Sequence, residues 1–137
     1  MSHLKFFKDI SKNDVAIAGG KGASLGEMTK AKISVPPGFV VLASAFDRFI
    51  EETNLKEEIK ARLDEVVPED TNTVDKASNV LRDTIHDTPM PKDLQKEILE
   101  SFDKLGAEFV AVRSSATAED SAVASWAGEL ETFLNIT

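Results

Sequence analysis

Two cations in this 137-residue sequence stand where they could do chemistry, Arg113 and Lys21. Arg113 follows the apolar run Phe109-Val110-Ala111-Val112 and opens a stretch of small and hydroxylated residues, R-S-S-A-T-A-E-D. A strand pins its Cα, and a guanidinium forks onto two oxygens at once, which suits phosphate. The alternative is a structural pair with Glu119 or Asp120, and the residues leave both open. Lys21 lies in G-G-K-G-A-S-L-G-E-M, residues 19–28. A glycine turn before a helix presents backbone N–H groups to an anion, and Lys21 adds a mobile charge. Gly22 follows Lys21 where a Walker A motif needs Ser or Thr, so this is not that motif. The same glycines also suit a plain tight turn that starts a helix.

A third stretch, S-W-A-G-E-L-E-T-F-L-N, covers residues 125–135. Gly128 lets a loop backbone approach a ligand closely, and Thr132 offers a hydroxyl. Glu129 and Glu131 share one side of a strand, where they suit either a metal or solvent. Trp126, the only tryptophan, suits a base stack or a core. His3 and His86 belong to no arrangement of nucleophile, base and carboxylate, and no metal-ligand spacing emerges.

These residues need elements to hold them. Residues 1–12 read as a short strand or arm anchored by Phe6 and Phe7, and Asn13-Asp14 as a turn. A glycine turn then leads into a helix from about Ala23 to Lys32, with Leu25 and Met28 on one face. Gly26 inside that helix predicts close backbone packing against a neighbour. Pro36-Pro37 ends the helical region, and Gly38 to Leu42 reads as a short buried strand. Ser44 is the expected cap of a helix with Phe46, Phe49 and Ile50 on one face. Leu55, Ile59 and Leu63 stripe the next helix. Thr71-Asn72-Thr73 caps another, striped by Val74, Ala77, Leu81 and Ile85. Pro91 opens a last one, with Leu94, Ile98, Phe102 and Leu105 inward and Gly106 at its end. Strands are predicted at Phe109 to Val112 and Glu131 to Ile136. The expected fold is α+β (mixed α/β), with a helix-rich middle flanked by short strands.

The length allows one ordinary domain with one core. No apolar run reaches membrane-spanning length, and no secretory signal opens the chain, so no membrane partner is expected. The absence of cysteine excludes disulfides and thiolate metal sites and fits the cytoplasm. The net charge of −8 is uneven. In residues 1–32 six lysines against Asp9, Asp14 and Glu27 leave +3, so the remainder carries −11. An acidic middle argues against a nucleic-acid partner. The basic N-terminal segment and a buried-looking Arg113 are compatible with a small polyphosphate, while most of the lysines, taken singly, suit a solvated surface better.

Four stretches in order carry a resemblance over nearly the whole chain, from about Gly19 to Thr137: G-G-K-G-A-S-L-G-E-M, V-P-P-G-F-V-V, V-A-V-R-S-S-A-T-A-E-D and A-S-W-A-G-E-L-E-T-F-L-N. Together they resemble the N-terminal nucleotide-binding domain of the phosphoenolpyruvate synthase and pyruvate, phosphate dikinase family. Rifampicin phosphotransferases and glucan-water dikinases share that domain. The resemblance implies the first lobe of an ATP-grasp-like domain and an enzyme that uses ATP with Mg²⁺ to phosphorylate a histidine on a swivelling domain. In the synthase the phosphoryl group then goes to pyruvate. Position by position, it implies that Lys21 and Arg113 contact phosphate, that Gly128 lies in a glycine-rich loop over the phosphates, and that Thr132 is near the nucleotide. Arg113 is the expected catalytic residue, with no metal ligand in this stretch. Residues 1–137 are expected to be the N-terminal part of the ATP-binding domain, with the second lobe and its Mg²⁺ ligands, the phosphohistidine domain and the acceptor domain outside it. Alone, such a piece should bind ATP weakly or not at all and should not turn over. Its expected partners are the nucleotide and the remaining domains of the parent enzyme. The alternatives are the same module from a rifampicin or other phosphotransferase, or a non-catalytic module that binds a nucleotide or a protein.

Overall fold

A computed structural model describes residues 2–117 and 131–137. It is α+β, as the pattern of the sequence predicts. In order come β1 (Leu4–Phe6), α1 (Val15–Lys30), β2 (Phe39–Val41), α2 (Ala43–Glu52), α3 (Leu55–Asp64), α4 (Thr71–Asp87), α5 (Lys92–Leu105), β3 (Val110–Arg113) and β4 (Thr132–Ile136). Two short 3₁₀ turns, Phe7–Asp9 and Lys12–Asp14, link β1 to α1. The chain divides into two compact units, Met1–Ala45 with Asp93–Thr137, and Phe46–Lys92.

Among the described residues, the first unit holds two sheets, each a two-stranded antiparallel ribbon. In one, β1 pairs with β2, with Leu4 opposite Val41 and Phe6 opposite Phe39. In the other, β3 pairs with β4, with Arg113 opposite Thr132 and an irregularity between Val110 and Val112. The apolar core of this unit has two clusters. Leu4, Ala45 and Leu94 pack with Phe39 and Ile98. Ile10, Ala18 and Leu42 pack with Phe7 and Val40. The predicted stripe of α5 therefore does face inward at Leu94 and Ile98.

The inward face of α1 differs from the expectation. Leu25 and Met28 are half-buried, while the fully buried positions are Ala18, Gly19, Gly22, Ala23 and Gly26. Small residues let the helix backbone close onto its neighbours. At Gly26 an added Cβ would lie 2.6 Å from the Ile10 carbonyl oxygen, so the predicted close packing is with the turn after β1. That turn is held by a reciprocal cap: Ser11 N–H donates to Asp14 Oδ2 at 2.8 Å, and Asn13 N–H donates to Ser11 Oγ at 3.3 Å. The Ser11 N–H holds the Asp14 carboxyl below its ordinary range, against a smaller opposing effect of burial.

The second unit is helical. Its buried apolar residues are Phe49, Leu55 and Ala77, with Phe46 and Phe49 rings 6.3 Å apart. The cap of α4 is Asp70, whose carboxylate accepts from Asn72 N–H at 3.1 Å, one residue before the predicted Thr71-Asn72-Thr73. Leu63 and Val74 were predicted inward but are exposed. Ser44 is not the cap of α2 either. It belongs to the first unit and lies inside the first turn of α2, with its Oγ 2.9 Å from His3 Nδ1 in the same unit.

Candidate functional site

The two cationic motifs lie 92 positions apart in the chain and meet in the first unit. Gly19 is the hinge of that meeting. Its φ of +75° and ψ of 170° break α1 between Val15–Ala18 and the turns that follow, so the helix proper starts at Gly20 rather than near Ala23. Only glycine takes this conformation without strain. Space also requires it, because an added Cβ would lie 2.9 Å from the carbonyl carbon of Ser115 and closer still to its hydroxyl.

The break exposes backbone groups of the new helix start, and the loop after β3 takes them up. Gly20 N–H donates to Ala116 O at 3.2 Å. Gly22 N–H donates to Ser115 Oγ at 3.2 Å. The Ser115 hydroxyl in turn donates to Ala18 O at 2.9 Å, on the far side of the break. Sequence reasoning expected these amides to face an anion. Instead two of them are used to dock the turn on its neighbour, since a buried N–H without a partner is costly.

Lys21 and Arg113 converge on this dock. Lys21 Nζ donates to Ser114 O at 3.3 Å, so its ammonium sits on the residue next to Arg113. Arg113 is the last residue of β3, paired in register with Thr132 of β4. Its expected burial is corrected: Arg113 is exposed, because among the described residues β3 and β4 form a two-stranded ribbon with almost every residue open. No carboxylate among the described residues pairs with its guanidinium. The rival partners, Glu119 and Asp120, lie outside the described residues, as do Gly128, Glu129 and Trp126. Thr132 is described and exposed. Ser114 ties the loop to β4, since its N–H and its Oγ both donate to Glu131 O at 3.2 Å. Adjacent serines thus face two ways, Ser114 to β4 and Ser115 to α1. Ser115 was not singled out from sequence. The only hint was a hydroxyl in a run of small residues, with nothing to mark its distant partner.

The described residues hold no cluster of three His, Asp or Glu side chains able to grip a metal ion, and no helix long and apolar enough to cross a membrane.

Residues 15–137 match the family model described as the AMP/ATP-binding domain of pyruvate phosphate dikinase. The chain belongs to that family. It is also similar to proteins named probable phosphoenolpyruvate synthase. One, from Methanothermobacter thermautotrophicus, is 44% identical over 99% of this chain and 21% of its own length. One from Methanocaldococcus jannaschii is 46% identical over 99% of this chain and 12% of its own. A phosphoenolpyruvate synthase of Aeropyrum pernix is 46% identical over 97% of this chain and 17% of its own. The chain thus spans only 12% to 21% of these relatives' length. Its match to the AMP/ATP-binding family runs through the glycine turn, Arg113 and Thr132 alike.

Proposed function

We propose that this chain forms one wall of an ATP phosphate site in a phosphoenolpyruvate synthase-like enzyme. The observation that carries the reading is the convergence of Lys21 and Arg113 on one loop, with Lys21 Nζ on the carbonyl beside Arg113. A polyanion bound at this loop would meet both cations, and each would attract it. In this reading Arg113 forks onto phosphate oxygens and Lys21 serves as a mobile point charge on the same group. Both stabilise the negative charge that builds as a phosphoryl group leaves ATP. Thr132, opposite Arg113, offers its hydroxyl to the nucleotide, and Gly128 gives the covering loop its close approach.

Residues 1–137 are the N-terminal part of the ATP-binding domain. Mg²⁺ accompanies the ATP, with its ligands in the second lobe of the parent. There the phosphoryl group passes to a histidine on another domain and on to pyruvate, so those domains are this chain's partners. We place the parent in the cytoplasm, which a cysteine-free chain fits. The test is a titration of the chain with ATP after neutralising each cation. Lys21→Met and Arg113→Met should each weaken ATP binding about tenfold, the loss of one charge-assisted contact, while the fold stays intact. Unchanged ATP affinity in both variants would overturn the reading.

A further inference from the structure

We infer that Ser115 is a positioning residue of the phosphate wall, which holds Lys21 in place relative to Arg113. The inference rests on the nucleotide reading above and adds a residue that does not itself face the phosphates. Lys21 lies two residues after a break in a helix, and a break is free to hinge unless something spans it. Ser115 spans it with one atom. Its Oγ donates to Ala18 O at 2.9 Å before the break and accepts from Gly22 N–H at 3.2 Å after it. Lys21 is the residue just before Gly22, so the second bond fixes the backbone from which the lysine extends. Ser115 itself stands two residues after Arg113, on a loop that Ser114 fastens to β4 through Glu131 O. One hydroxyl therefore joins the backbone that carries Lys21 to the backbone that carries Arg113. Gly19 completes the fit, because any side chain there would push Ser115 off the turn.

A hydroxyl is needed for this and a methyl is not enough. It must donate to a carbonyl and accept from an amide at once, which Ser and Thr do and Ala does not. Without it the turn keeps the Gly20 bond to Ala116 O and stays docked, but Gly22 N–H and Ala18 O lose their link across the break. The expected result is a folded protein whose two cations no longer hold a common geometry. Preorganised charge then has to be assembled by the ligand, and affinity falls.

The experiment uses the full 137-residue chain, ¹⁵N-labelled, well below its melting temperature. In Ser115→Ala, exchange of the Gly22 amide should quicken about fivefold to tenfold, the value of one net hydrogen bond. The ATP concentration needed to shift the Lys21 and Arg113 signals should rise by about tenfold. Ser115→Thr, which keeps the hydroxyl, should restore both. Lys21→Met should weaken ATP binding but leave Gly22 exchange unchanged. If Ser115→Ala does not fold, Gly19→Ala reaches the same contact from the other side and should show the same loss of ATP response. A folded Ser115→Ala with faster Gly22 exchange but an unaltered ATP response would show a merely structural bond and overturn the positioning role alone. So would an undiminished ATP response in Gly19→Ala, or a threonine variant as impaired as alanine. A wild-type chain that responds to ATP at other residues while Lys21 and Arg113 stay unmoved would overturn the nucleotide reading, and this role with it.

Discussion

The two ribbons of the first unit are built alike and used differently. Each is a pair of short antiparallel strands. The β1–β2 ribbon is covered: Leu4 is buried in one core cluster and Leu42, just past β2, in the other. The β3–β4 ribbon is open, with Val112, Phe133 and Leu134 about half exposed or more. A two-stranded ribbon is marginal by itself and needs a packed face to be stable. The first ribbon therefore contributes burial and anchors the fold. The second contributes little burial and presents Arg113 and Thr132. Stability and presentation of the candidate site are divided between them, and the Ser115 bridge links the presenting ribbon to α1, whose Ala18 packs in the core.

The largest expected effect comes from the covered ribbon. Leu4→Ala should destabilise the chain by about 2–5 kcal/mol in chemical denaturation, the usual cost of a buried leucine truncation. Leu94→Ala, in the same cluster, belongs to the same class. Phe133→Ala on the open ribbon should change stability by no more than about 0.5 kcal/mol. Equal losses at Leu4 and Phe133 would erase the distinction between the ribbons.

Next comes the junction between them. Gly19→Ala should cost at least about 1–2 kcal/mol from the left-handed backbone alone, read from the denaturation midpoint. Its contact with Ser115 adds to that. At the site itself, Arg113→Lys should keep stability within about 0.5 kcal/mol, since the residue is exposed. It should still weaken ATP binding severalfold, because an ammonium lacks the fork.

How far these roles could be read beforehand differs by region. Local signals were legible. The breaks at Pro36-Pro37 and Gly106, the strand leading up to Arg113, and the close packing at Gly26 all follow from residue type and spacing. The inward face of α1 was not, because a small-residue face has no apolar periodicity. Nor was the exposure of Leu63 and Val74, since a stripe of apolar residues does not say how completely it is covered. The exposure of Arg113 escaped for a related reason. An apolar run before a residue predicts a strand, but not how many strands cover it. The meeting of Lys21 with Ser114 and of Gly22 with Ser115 is a contact across more than 90 residues, which no local pattern encodes.

The smallest expected effect concerns the covered region's edge and is a pH dependence. The folded carboxyl of Asp14 sits below its ordinary value of 3.8, mainly through the Ser11 N–H. A lowered folded pKa favours the folded state above the unfolded value. Its contribution is therefore complete above about pH 4 and lost as pH falls through the depressed value. Asp14→Asn should remove that part of the acid dependence, seen as a flatter stability profile below pH 4.

The central claim is that the open ribbon and the Gly19–Gly22 turn form one phosphate-binding wall. Chemical-shift mapping of the chain with ATP, tripolyphosphate and adenosine tests it most directly. ATP and tripolyphosphate should bind weakly and shift the same signals, at Gly19–Lys21, Arg113 and Thr132, while adenosine leaves them still. Tight, Mg²⁺-dependent ATP binding with shifts far from those residues, or the same shifts from adenosine alone, would contradict it.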